Sequence, residues 1–214
     1  MWLINTETLY LMNFVGDGIP QHAILSHRWG EDDTEQTFKD FQKGRGEHRP
    51  GHKKITNFCS LARSDGYVWA WVDTCCIDKR SSAELTESIN SMFTWYQRSA
   101  RCYVYMADVD RDHSNWLEST WWTRGWTLQE LIAPAQIHFY DKHWTLIGTK
   151  AELAPEIAHK TQIPQNVITR PEHYRFWSVA QKLSWAANRR TKRVEDRAYS
   201  LLGLFRINMP LLYG

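Results

Sequence analysis

The sequence predicts an α/β fold in which a parallel sheet is flanked by helices and followed by a helical C-terminal extension. Three observations carry this. Short apolar runs alternate with segments of helical period in the order strand, helix, strand, helix, strand, which predicts right-handed crossovers and parallel pairing. Two of the runs stop abruptly in polar clusters, Ser26 to Gly30 and Asp73 to Asp78, as strands do when they deliver side chains to a sheet's edge. From Lys150 onward the pattern is helical, with Pro164 and Pro171 punctuating the connections.

The elements follow in order. His22 to Ser26 reads as a buried strand and Thr34 to Lys43 as a short amphipathic turn, with a Gly/basic/His loop after it. Lys53 to Ser64 repeats Ile55, Phe58, Cys59, Leu61 and Ala62 at helical spacing and ends at Asp65-Gly66. Tyr67 to Asp73 is a continuous aromatic and β-branched run, the mark of a strand covered on both faces. Ser81 and Glu84 have the spacing of a capping box opening a helix to about Gln97, with Ile89, Met92, Phe93 and Tyr96 on one face. Cys102 to Met106 is a third strand. The Trp-rich stretch from Trp116 leads into a helix over 124–131 that stops near Pro134. Gln136 to Tyr140 and Trp144 to Gly148 are strands flanking a turn, and helices are expected over 151–161, 176–188 and 194–205.

A chain of 214 residues, 43% apolar and 23% charged, buries a sizeable core and is not disordered. Its net charge of +2 gives no broad basic footprint, which argues against nucleic acid. The one basic run, Asn188 to Arg193, reads as the solvated start of a helix. No apolar stretch approaches the roughly 18 residues that span a bilayer, and the N-terminus lacks the pattern of a signal peptide, so no membrane partner and a cytoplasmic location are expected. The four cysteines, Cys59, Cys75, Cys76 and Cys102, read as buried free thiols. With no Cys-x-x-Cys pair and dispersed histidines, no metal site is expected. The 12 Trp point to large aromatic contacts in the core, with flat walls for a planar ligand as the alternative.

Three blocks carry a resemblance. Ala23-Ile24-Leu25-Ser26-His27-Arg28-Trp29-Gly30, Trp71-Val72-Asp73-Thr74-Cys75-Cys76-Ile77-Asp78-Lys79 and Arg124-Gly125-Trp126-Thr127-Leu128-Gln129-Glu130-Leu131 resemble, in order, the signature blocks of the fungal heterokaryon-incompatibility (HET) domain. Arg193 to Gly203 resembles the helix that often follows them. The resemblance implies an effector of non-self recognition and regulated cell death, joined to receptor or sensor modules in cis or in trans. On this reading residues 1–148 form the effector domain and 149–214 a helical extension packed on it. The apolar, unterminated Leu211-Leu212-Tyr213-Gly214 reads as leading into further domains.

HET domains have been likened to Toll/interleukin receptor (TIR) domains, which have a flavodoxin-like parallel sheet. Leu25-Ser26, Arg28 and Gly30-Glu31-Asp32 are similar to the end of the first strand of plant TIR domains, with Trp29 as an extra residue. Trp126-Thr127-Leu128-Gln129-Glu130-Leu131 is similar to their Trp-Cys-x-x-Glu-Leu helix, whose Glu is catalytic in the NAD-cleaving members. Thr127 replaces the Cys, and Arg124 stands where a Ser is expected. The likeness implies a catalytic role for Glu130, with NAD or a related nucleotide as substrate, no cofactor, and a homo-oligomer as the active form.

The chemistry fits the residues. Cleavage of the nicotinamide–ribose bond passes through an oxocarbenium-like state that needs a nearby carboxylate, and nicotinamide leaves without a strong acid. Ser26, His27, Arg28, Trp29, Gly30, Asp73, Cys75, Asp78, Arg124 and Trp126 are the substrate-binding candidates, expected beyond the carboxyl ends of the strands. Each has a plainer alternative. Glu130 would form only a structural ion pair with Arg124 or Arg28, Trp29 and Trp126 would be packing, and Arg28 would pair with Glu31 or Asp32. His27 would be a structural imidazole, Asp73 and Asp78 would cap turns, and Cys75 would be a packed thiol. A non-enzymatic adaptor that signals by self-association is the competing function.

Overall fold

Seven strands are hydrogen-bonded into one sheet in the order β2-β1-β4-β3-β5-β6-β7 in the computed structural model, which describes residues 1–31 and 33–213. They are β1 (Trp2–Asn5), β2 (Leu11–Asn13), β3 (Ala23–His27), β4 (Trp69–Trp71), β5 (Arg101–Tyr105), β6 (Ile137–Tyr140) and β7 (Leu146–Thr149). The helices between them are α1 (Phe38–Gln42), α2 (Pro50–Ser64), α3 (Ser82–Arg98) and α4 (Thr127–Ile132). After β7 come α5 (Ala154–Thr161), α6 (Gln165–Thr169), α7 (Val179–Ala186), α8 (Asp196–Tyr199) and α9 (Leu202–Phe205). Taken in chain order, the central strands β3 to β6 lie second, first, third, fourth. The order reverses between β3 and β5, the doubly wound arrangement in which ligands bind at the carboxyl ends of the strands flanking the reversal.

Two compact units make up the chain, residues 1–25 with 29–88 and residues 26–28 with 89–214. In the first, β3 pairs in parallel with β4, while β1 pairs antiparallel with both β2 and β4. Leu3, Ile4, Ile24, Leu25, Ala70, Trp71 and Val72 are fully buried, as are Ile55, Phe58, Cys59 and Ala62 along α2. In the second unit β6 pairs in parallel with β5 and antiparallel with β7. Its core is aromatic. Trp121 and Trp122 lie edge to face at 4.8 Å, and both rings stand 5.9 Å from Phe139. Packing thus accounts for these tryptophans of the Trp-rich stretch.

The sheet is mixed, not purely parallel, because β1 and β2 form an N-terminal hairpin and β7 returns antiparallel from β6. The strand expected over 67–73 is paired only at Trp69–Trp71. After it Val72 accepts from Cys76 N at 2.8 Å, turning the chain away from the ladder. The capping box forms only in half. Ser81 Oγ accepts from Glu84 N at 3.2 Å, but the Glu84 carboxylate accepts from Asp78 N at 2.9 Å. The last expected helix is two, α8 and α9, broken at Ser200-Leu201. The helix expected from residue 124 begins at Thr127, because the chain before it runs through 3-10 turns at Trp116–Glu118 and Thr120–Thr123.

Candidate functional site

In the second unit every residue of α4 is buried, Glu130 with 7% of its surface exposed. A carboxylate so placed needs polar partners. Ser26, fully buried at the end of β3, donates to Glu130 Oε2 at 2.5 Å and accepts from Trp121 Nε1 at 2.9 Å. Thr127 Oγ1 donates to the carbonyls of Trp121 (2.7 Å) and Arg124 (2.9 Å), tying the first turn of α4 to the 3-10 segment that carries the indole. The thiol of Cys102 on β5 is pushed well up by burial, and the charge of Glu130 adds to the shift, so this sulfur is not a nucleophile at neutral pH.

Arg28 lies just past β3 with an exposed side chain, and its Nη1 donates to Thr120 Oγ1 at 3.1 Å. Thr120 in turn donates to Asp108 Oδ2 at 2.6 Å, and Ser119 Oγ donates to Asp108 Oδ1 at 2.6 Å. Burial raises the Asp108 carboxyl, but the hydrogen bonds from Ser119 and Thr120 outweigh it and leave the pKa below the usual carboxylate range. Arg28 therefore faces an ionised carboxylate through one hydroxyl. Its partner is Thr120, not Glu31, and Asp32 lies outside the described residues. His27 is buried at the end of β3, and side-chain alternation puts it on the opposite face from Ser26. Arg124 and Trp126 are half-buried beside α4, Arg124 serving the site through its backbone carbonyl.

In the basic run at 188–193 Asn188, Arg190, Lys192 and Arg193 are exposed, as expected of a solvated segment, but Arg189 turns inward. Arg189 Nη1 donates to Thr127 Oγ1 at 2.8 Å and to Arg124 O at 2.9 Å. Burial lowers its pKa to about 10, while the nearby charge of Glu130 pulls it back up. Arg189, a cation the sequence did not offer, is thus close enough to feel the charge of Glu130. Gly125 makes the approach possible: its N–H donates to Arg190 O at 2.8 Å, and a Cβ there would stand 2.5 Å from Thr191 Cγ2. Lys150, also unforeseen, is buried with Nζ donating to Pro134 O at 2.8 Å just beyond α4, and burial lowers its pKa to about 7.

The other candidates sit in the first unit. Trp29 donates its indole N–H to Asp73 Oδ2 at 2.7 Å, and Lys79 Nζ lies 3.6 Å from the centre of its ring. Gly30 N donates to Glu35 Oε1 at 2.8 Å, the carboxylate oxygen that also accepts from Lys54 at 2.6 Å. The Cys75 thiol is pushed well up by burial, with Cys76 and Asp73 adding to the shift, as befits a packed sulfur. Asp78 is held by Arg80 through bonds of 2.7 and 2.6 Å within its own turn.

Asp108 was legible by the rule that singled out Ser26, since it follows the apolar run of β5. Arg189 carries no local signal, and only the fold returns it to α4. Among the described residues no group of three or more His, Cys, Asp or Glu side chains is arranged to hold a metal ion, and no helix is long and apolar enough to cross a membrane.

Comparison with known proteins places the first two blocks in a family. Residues 22–115 match the family model described as "Heterokaryon incompatibility protein (HET)". The chain is 44% identical over 206 residues to "Vegetative incompatibility protein HET-E-1" of Podospora anserina, an alignment that covers 92% of this chain and 15% of that protein. The chain thus spans about 15% of the length of this curated relative. No solved structure gives a significant match. With its signature blocks at Ser26 to Gly30 and Asp73 to Asp78 inside the matched stretch, the chain is a member of the heterokaryon incompatibility (HET) family.

Proposed function

We propose that this chain is an effector domain of fungal non-self recognition that brings about programmed cell death by cleaving NAD or a related nucleotide, with Glu130 as the catalytic carboxylate. The observation that carries the reading is the buried Glu130 at the carboxyl end of β3, its Oε2 held by Ser26 at 2.5 Å. An anion fixed in a dry site stabilises developing positive charge far better than one in water. In the proposed step the ribose C1′–nitrogen bond breaks and its electron pair leaves with nicotinamide. Glu130 faces the oxocarbenium-like carbon, and water adds to C1′ with loss of a proton. Arg28, exposed at the same strand end, meets the pyrophosphate, and the open part of Trp126 offers a face for a base.

The doubly wound strand order supports the likeness to TIR domains, and similarity to a vegetative incompatibility protein supports the role in incompatibility. The chain acts in the cytoplasm, as one module of a longer receptor whose sensor parts trigger self-association. The second reading, an adaptor without catalysis, is favoured by the exposed apolar side chains of Phe176, Val179 and Leu183 along and before α7, which a second copy would cover. Incubating the purified chain with NAD at high protein concentration and assaying free nicotinamide separates the two. Release supports the enzyme, and none from any nucleotide tested supports the adaptor.

A further inference from the structure

We propose that Arg189, from the segment that follows α7, is a positioning residue for Glu130, supplying the fixed positive charge that keeps the buried carboxylate ionised and oriented in the site. This rests on the reading of Glu130 as the working carboxylate.

Three independent features carry the proposal. The first is the docking of the segment itself. Arg124 and Arg190 form a parallel bridge, Arg190 N donates to Thr123 O at 2.7 Å, and Gly125 N donates to Arg190 O at 2.8 Å. These bonds fix residue 189 against the turn that opens α4. The second is the direction of the guanidinium. Its Nη1 is anchored on Thr127 Oγ1, and Thr127 and Glu130 are three residues apart on one helix, so both project from the same side. The third is steric. The approach tolerates no side chain at residue 125, where a Cβ would meet Thr191 Cγ2 at 2.5 Å.

The guanidinium bonds to Thr127 and to the Arg124 carbonyl, and it acts on Glu130 through its field. That field is felt in return, since the charge of Glu130 raises the Arg189 pKa. The charge of Glu130 also reaches the Cys102 thiol of β5, and Cys102 and Lys150 feel each other. Removing the Arg189 charge from this surround shifts Glu130 toward its protonated form, which stabilises no oxocarbenium.

The test is an NMR titration of the 13C-labelled Glu130 carboxyl in the 214-residue chain, its signal assigned by its absence from Glu130→Gln. In Arg189→Gln the midpoint should rise by about one pH unit, a tenfold gain in proton affinity. In Arg189→Lys, which keeps the charge, it should stay near the wild-type value. An unmoved midpoint in Arg189→Gln overturns the proposal. If Arg189→Gln does not fold, the double variant Arg189→Gln/Glu130→Gln should, because no buried anion is then stranded. A double variant that stays unfolded also overturns it. The titration decides the role of Arg189 whether or not NAD is cleaved, so failure of the enzymatic reading shows separately, as a wild-type chain that releases no nicotinamide while the coupling persists.

Discussion

The hydroxyl of Ser26 donates to Glu130 Oε2 at 2.5 Å across 104 positions of sequence. Its direction is fixed by chemistry, because an ionised carboxylate can only accept, while the Trp121 indole, which can only donate, takes a lone pair of the same Ser26 oxygen at 2.9 Å. The single hydroxyl proton is therefore committed to the carboxylate. A serine at a strand end thereby orients an acid on a distant helix.

Ser26→Ala should take a hydrogen-bond partner from both the Trp121 indole N–H and the Glu130 carboxylate. The expected cost is about 1–3 kcal/mol of stability, read as a lowered urea midpoint with an unchanged slope. An unchanged midpoint would mean that the relay carries no energy.

Gly125→Ala should destabilise the chain by about 1–3 kcal/mol through overpacking against Thr191. Because the clash is with Cγ2, adding Thr191→Ser should recover most of the loss. Additive effects of the two substitutions in a denaturation cycle would refute this account of the glycine.

Lys150 makes stability depend on alkaline pH. Its folded pKa of about 7 lies below the usual lysine value of 10.5, so between these two the unfolded chain binds the extra proton. Stability should therefore rise with pH across that window, by as much as a few kcal/mol, and level off outside it. Lys150→Met should lack this rise. The check is the difference between wild type and variant in urea melts from pH 6 to pH 10, and parallel curves would refute the shift.

The sequence makes the central elements legible because apolar period and strand-end chemistry are local. The runs at 22–26 and 102–106 appear as β3 and β5, and of the apolar positions of α2 Ile55, Phe58, Cys59 and Ala62 are buried while Leu61 is half-buried. Other features depend on partners distant in sequence. The β1–β2 hairpin is held by pairing with β4, and nothing in its few residues outweighs other conformations. Ser26 and Glu130 were marked by their motifs, whereas Arg189 looked like a solvated cation because its partners, Thr127 and the Arg124 carbonyl, lie 62 and 65 positions away. Trp29, Asp73 and Asp78 were marked by the same strand-end logic as Ser26, yet the Trp29 indole bonds to Asp73 and the Asp78 carboxylate to Arg80.

Forced clustering should raise specific activity, if activation requires assembly. A fusion to an oligomerising tag should release nicotinamide faster per molecule than the dilute monomer, and equal rates would refute gating by self-association.

The central claim is that the charge of Glu130 acts in the chemical step. The direct measurement is nicotinamide release from NAD by the wild-type chain and by Glu130→Gln at equal concentration, with folding of the variant verified by circular dichroism. The account predicts release by the wild type and a fall of at least about a hundredfold in kcat for the folded variant, the scale on which loss of one preorganised electrostatic group is felt. A folded Glu130→Gln chain that releases nicotinamide at the wild-type rate would contradict it.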